Sequence, residues 1–194
     1  LSVIVKAIET AGYIPGKNIF IALDVAATSI YNRESDTYNI DNKNLTREEL
    51  LDYYINLVKN YPIISIEDPY GEDDFEGFKL ITDALGKKIS IVGDDLFVTN
   101  KEMLKLGIEK GLCNAVLIKP NQVGTFYETL ETIVMAKQNK YMPIISHRSG
   151  ETTDTFISDL AVALNIPFMK SGSTSRGERL VKYNRLLEIE ENLP

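Results

Sequence analysis

Ile89-Ser90-Ile91-Val92-Gly93-Asp94 and Ala115-Val116-Leu117-Ile118-Lys119, with a helical pattern between them, decide how this chain folds. Both runs are continuously aliphatic and β-branched rather than alternating, as strands of a parallel sheet buried on both faces are. Both end in a charged residue. The segment between them carries Thr99 and Glu102 at capping-box spacing and reaches Gly111, where a helix C-cap belongs. Strand, helix and strand in that order predict a βαβ unit with parallel strands.

Outward from this unit the same pattern recurs. Apolar runs at Ile19–Asp24, Ile63–Glu67, Ile144–His147 and Pro167–Lys170 bring the expected strands to six. Further capping boxes stand at Thr46/Glu49, Thr125/Glu128 and Ser175/Glu178. After Thr46, residues Leu50, Leu51, Tyr54, Leu57 and Val58 hold one helical face, as Phe126, Leu130, Ile133 and Val134 do after Thr125. Gly86 suits a second helix C-cap. Tyr31–Asn44, rich in Asn and Asp, is expected to be the one long polar loop. Leu1–Ala11 is apolar and helix-like, ends at Gly12 and lacks a starting cap, which predicts a helix entered partway. No linker divides the chain, so residues 1–194 are expected to belong to a single domain.

Composition narrows the function. A chain of 194 residues, 44% hydrophobic and 25% charged, is not a disordered polypeptide, and no apolar run approaches the roughly 18 residues of a membrane span. A net charge of −7 with no cluster of Lys and Arg argues against a nucleic-acid partner, whose phosphates need a basic footprint. Cys113 stands alone, so it makes no internal disulfide and reads as a small buried hydrophobe in a reducing, cytoplasmic setting. The opening residues lack the basic region and cleavage site of a signal peptide.

The chemistry lies at the ends of the runs: Asp24, Glu67, Asp94, Lys119, His147 and Lys170. In a parallel α/β sheet or barrel the strand C-termini face one side, so these side chains converge. Converging carboxylates repel one another unless a hard cation sits among them, and Mg²⁺ favours such oxygen ligands. A lysine close to that cation has its ammonium form disfavoured and can work as a base. Singly, each residue has a plainer use. Strand-end acids cap following helices, Asp94-Asp95 suits a turn, Lys119 before Pro120 suits the surface, and a lone histidine suits a structural hydrogen bond. Ser171-Gly172-Ser173 offers only a weak phosphate-cradle signal. Six polar endings in step favour a shared site.

Several stretches carry a family likeness. Ile21-Ala22-Leu23-Asp24-Val25-Ala26-Ala27, Ser65-Ile66-Glu67-Asp68-Pro69-Tyr70, Val92-Gly93-Asp94-Asp95-Leu96 and Leu117-Ile118-Lys119-Pro120-Asn121-Gln122 resemble successive motifs of the enolases (phosphopyruvate hydratases). Ser146-His147-Arg148-Ser149-Gly150-Glu151-Thr152, Lys170-Ser171-Gly172 and Arg176-Gly177-Glu178-Arg179, with Lys182-Tyr183-Asn184, continue the likeness in order over essentially the whole chain. It is most similar to bacterial-type members.

The resemblance implies an α/β fold, the enolase-type TIM-like barrel. These residues would form its C-terminal six βα units, without the first strands and the N-terminal α+β domain. It implies that Asp24, Glu67 and Asp94 hold Mg²⁺, one of two ions per site, with Glu67 and Asp94 also bordering the substrate. Lys119 would remove the α-proton of 2-phosphoglycerate. Ser146, His147, Arg148 and Ser149 would hold the substrate phosphate. Lys170 would contact the substrate near its carboxylate and help to lower the Lys119 pKa. The implied activity is the reversible glycolytic dehydration of 2-phosphoglycerate to phosphoenolpyruvate. Its setting would be a cytoplasmic homo-oligomer, with surface display or secretion left open.

The sequence also departs from the family. The glycine-rich segment whose glutamate acts as general acid lies on an earlier barrel strand in enolases, and Gly71-Glu72-Asp73-Asp74 belongs to a different loop. An upstream histidine and glutamate, and the mobile loop whose serine helps to bind the second Mg²⁺, have no counterpart either. Thr28-Ser29-Ile30-Tyr31 replaces the more usual Ser-Glu-Phe-Tyr. Metal ligands and base are therefore expected without the acid, which makes these residues alone inactive. The alternative is a non-catalytic binding or interaction fragment, its incomplete barrel leaving sheet edges unpaired.

Overall fold

Strands form where the aliphatic runs predicted them. The computed structural model describes residues 1–193, divided into a unit of Leu1–Leu96 with Leu106–Asn114 and a unit of Phe97–Lys105 with the residues from Ala115 onward. In the first unit, α1 (Ser2–Thr10) starts at Leu1 without a side-chain cap, and the chain turns at Gly12 with φ +84°. β1 (Ile21–Asp24) follows.

The stretch expected as a loop, Tyr31–Asn44, is instead a small antiparallel sheet. It consists of β2 (Tyr31–Asn32), β3 (Thr37–Ile40) and β4 (Lys43–Leu45). Asp36, Asp41 and Asn42 take φ of 51°, 51° and 61°, so the residues that read as loop formers are the left-handed corners of two hairpins. Tyr38 ties this sheet down. Its side chain is 1% exposed, its hydroxyl donates to Asp74 Oδ2 at 2.7 Å, and it accepts from the Gly71 amide at 3.0 Å.

The βα pattern then resumes with α2 (Arg47–Asn60), β5 (Ile63–Glu67), α3 (Phe75–Leu85) and β6 (Ser90–Gly93). The Thr46 capping box closes in both directions, Glu49 N to Thr46 Oγ1 at 3.3 Å and Thr46 N to Glu49 Oε2 at 2.9 Å. Asp74 caps α3 by accepting from Gly77 N at 2.9 Å. β1, β5 and β6 lie side by side and parallel. Ile66, Ile91, Leu50, Tyr54, Phe78 and Ile81 fill the space between strands and helices. Each such side chain contributes about 1.5–3 kcal/mol by leaving water.

α4 (Lys101–Lys110) starts one residue later than its expected cap. Asn100 Oδ1, not Thr99, accepts from the amides of Glu102 and Met103 at 2.9 and 3.1 Å. Thr99 is fully buried with φ +57°, and its hydroxyl is engaged elsewhere. Gly111 ends α4 with φ +65°, while Gly86 caps α3 in the right-handed region.

The second unit continues with β7 (Ala115–Ile118), α5 (Phe126–Gln138), β8 (Met142–Ser146), α6 (Phe156–Ala163), β9 (Phe168–Lys170) and α7 (Gly177–Asn192). β7, β8 and β9 are adjacent and parallel, and every residue of β7 is buried, as its unbroken aliphatic run predicted. Thr125 caps α5 by accepting from Glu128 N at 3.2 Å. The expected Ser175 cap does not form. Arg176 occupies the N-cap of α7 without a side-chain cap and pairs with Glu178 at 2.8 Å. Among the described residues, no helix is long and apolar enough to cross a membrane.

Candidate active site

In the first unit the parallel register sets the acids. Asp24 and Glu67 are direct partners at the ends of β1 and β5, and Glu67 is in turn the partner of Val92 on β6, two residues before Asp94. The ladder runs past the strand ends through Val25 N to Glu67 O and Asp68 N to Val92 O, both 3.0 Å. Glu67 and Asp94 are buried, whereas Asp24 is exposed.

Asp68, which sequence reasoning passed over, organises this end. It sits at φ 42°, 5% exposed, and its two carboxylate oxygens accept the amides of Asp94 and Asp95, each at 2.8 Å. Among the described residues, Asp68, Asp94 and Asp95 form the acidic group whose oxygens all lie within 4.8 Å of one another; Asp24 and Glu67 stand outside it. Burial pushes the Asp68 carboxyl up to about 7 against the pull of those two amides, and the charges of Asp94 and Asp95 add to the rise. An all-oxygen donor set, buried at Asp68 and Asp94 and exposed at Asp95, fits a hard divalent cation. The paired acids Glu67-Asp68 and Asp94-Asp95 were visible in the sequence, but nothing in their spacing says which one faces inward.

The second unit gathers the basic residues. Lys119 follows β7, and its amide donates to Thr99 Oγ1 at 2.9 Å. That hydroxyl donates onward to Gln122 Oε1 at 2.6 Å, so the main chain at Lys119 is pinned by a buried threonine. Ser146 and Lys170 are register partners on β8 and β9, and His147 N donates to Lys170 O at 2.9 Å. Ser146 is 2% exposed and donates to His147 O at 3.0 Å. Arg148 uses its guanidinium on Asn121 Oδ1 and its amide on Glu151 Oε1, both 2.9 Å. Ser149 is exposed. Burial lowers the His147 pKa, Arg179 and Lys170 lower it further, Glu151 opposes them, and Lys119 adds a smaller lowering.

Two residues of α7, quoted above only as part of the family likeness, hold this loop. Arg179 donates to the carbonyls of Arg148 and Ser149, each at 2.9 Å, and meets His147 Nδ1. Lys182, 1% exposed, pairs with Glu151 at 2.8 Å and donates to the carbonyls of Thr152 and Glu178 at 2.9 Å. From sequence alone, charged residues three apart on a helix read as solvated. Beside the loop lies a cavity of about 290 Å³ bordered by Asn121, Ser146, Arg148, Glu151 and Lys182. A larger cavity of about 580 Å³, bordered by Tyr31, Arg33, Arg47 and Glu76 in the first unit, contains none of the expected site residues.

Residues 1–194 match the family model described as "Enolase, C-terminal TIM barrel domain". The enolase of a Nitratiruptor species is 55% identical over 190 residues, covering 98% of this chain and 45% of that relative. The chain thus spans about half the length of the curated relative it matches.

Proposed function

This chain belongs to the enolase family, through its C-terminal barrel domain, and from that premise we propose that the whole protein interconverts 2-phosphoglycerate and phosphoenolpyruvate. The observation that carries the reading is the alignment of Asp24 with Glu67 at the ends of parallel β1 and β5, with Asp94 just past the end of the neighbouring β6. Asp24, Glu67 and Asp94 are the residues that would hold Mg²⁺, with Asp68 fixing the main chain of Asp94. Bound there, the divalent ion supplies electrostatic stabilisation of the negative charge that builds on the substrate carboxylate.

The remaining steps belong to side chains of this chain. The proton α to a carboxylate is very weakly acidic, so its removal needs a positioned base, and Lys119 takes that role. Its main chain is anchored through Thr99, which limits where the ammonium stem can start. Arg148 and Ser149, with Ser146 and His147, bind the substrate phosphate. Lys170 lies beside His147 through their main-chain bond and meets the carboxylate end of the substrate. Departure of the 3-hydroxyl requires a general acid, and the residues assigned here include none. The 194 residues taken alone are therefore expected not to dehydrate 2-phosphoglycerate.

The test is Lys119→Ala in the whole protein. A general base contributes about 10²- to 10⁴-fold, so kcat should fall by that much while far-UV circular dichroism stays unchanged. A kcat within a factor of a few of the parent protein would remove Lys119 from the mechanism.

A further inference from the structure

α7 presents two buried cations to the loop that follows β8, and one of them meets the ring of His147. A guanidinium has five donors and no acceptor, so a ring nitrogen facing it must accept. In the neutral imidazole the proton then resides on the other nitrogen. We infer that Arg179 is a positioning residue that fixes His147 as the neutral Nε2–H tautomer, so that the ring offers a hydrogen-bond donor to a bound oxyanion. Arg179 and Lys182 meanwhile engage the loop carbonyls of Arg148, Ser149 and Thr152.

Three further observations support this. Arg179 is 7% exposed and makes two other short bonds, both to main-chain carbonyls of the same loop, so its guanidinium has little freedom to turn away. Gly172, at φ +77°, leaves the space the pair occupies. A Cβ there would lie 3.2 Å from both Arg179 Cδ and His147 Cε1. The amide of His147 is fixed to Lys170 O, which sets the ring's starting point. The charged groups facing the ring are Arg179, Lys170 and Lys119, which disfavour the imidazolium, and Glu151, which favours it. The oxyanion half of the inference rests on the proposed reading of Ser146–Ser149 as the phosphate-holding loop. The tautomer half does not.

The experiment is ¹⁵N NMR of the whole protein labelled at histidine, with the His147 signals identified by their loss in His147→Gln. The expected result at neutral pH is a protonated Nε2 and an unprotonated Nδ1, with titration below the ordinary histidine value. Arg179→Met should mix the tautomers and raise the midpoint, and Arg179→Lys should restore the low midpoint. A proton on Nδ1 in the parent protein, or an Arg179→Met variant with both properties unchanged, overturns the inference. If Arg179→Met does not fold, the parent tautomer and the lysine variant still decide. Inorganic phosphate should move the Nε2 signal and bind roughly fivefold more weakly to Arg179→Met, the loss of about one ordinary hydrogen bond. A correct tautomer with no response to phosphate overturns the oxyanion half, together with the phosphate role of the loop. A wrong tautomer overturns the inference alone.

Discussion

The carboxylate of Asp68 accepts the main-chain amide of Asp94 at 2.8 Å, while its second oxygen holds Asp95 at the same distance. Asp68 therefore fixes the loop that carries the third acid of the proposed metal site without itself ending a strand. Replacing it by Asn keeps the shape but turns an NH₂ toward one of the two amides, a donor facing a donor. Supporting residues around metal ligands are typically worth about 10- to 100-fold in affinity. Asp68→Asn is expected to weaken Mg²⁺ binding to the whole protein by about tenfold, read by isothermal titration calorimetry. Unchanged affinity would show that Asp94 keeps its place without this contact.

Lys182 is the most deeply buried cation among the described residues, 1% exposed, with Glu151 at 2.8 Å. Removing one partner of such a pair leaves the other charge without compensation, which costs about 3–5 kcal/mol. Here Glu151 keeps the Arg148 amide, so Lys182→Met should fall near the lower figure. Urea denaturation of the whole protein would measure it, and a loss under about 1 kcal/mol would mean that water replaces the lysine.

Gly77 lies in the first turn of α3, where alanine ordinarily stabilises a helix by up to about 1 kcal/mol. The opposite is expected here. A Cβ would stand 2.5 Å from two ring atoms of Tyr70 and 2.9 Å from Asp74 Oδ2. Tyr70 is fully buried and bonded through its hydroxyl to Arg47 O at 2.9 Å, so the ring has nowhere to retreat. Overpacking of this kind costs about 1–3 kcal/mol, and Gly77→Ala should be destabilised by roughly 2 kcal/mol in the same denaturation assay.

These contacts mark how far the sequence could be read. The six strands were legible because burial on both faces leaves an unbroken aliphatic signature, which β7 carries at all four positions. The β2–β4 sheet was not. Its strands are short and polar, and only Tyr38 is fully buried, so Asn and Asp dominated a stretch whose order comes from a tyrosine hydroxyl reaching Asp74. Thr99 and Ser175 matched the capping-box pattern, yet tertiary contacts took Thr99 for Lys119 and left the α7 start to Arg176. The strand-end acids and the basic loop could be named from position in the chain. Asp68, Arg179 and Lys182 could not, because burial of a charge depends on a partner brought from a different part of the chain.

Glu151 gives a pH dependence with a definite sign. Burial alone would raise its pKa, but the bond from Lys182, the Arg148 amide and the Lys182 charge outweigh burial and hold it below the usual glutamate value of 4.5. The unfolded chain then binds the proton more readily than the folded one through that range, so stability rises with pH there. The contribution is fully present above 4.5 and is lost as the pH falls through the lower folded value. Gln mimics the protonated acid. At neutral pH, Glu151→Gln should be less stable than the parent by about 1.5–3 kcal/mol, the size of a charge-assisted bond. The difference should shrink toward zero as the pH falls below 4.5 and through the lower folded value, in paired urea titrations. A gap that stays constant down to acid pH would mean that Lys182 is held by its two carbonyls and draws nothing from the carboxylate.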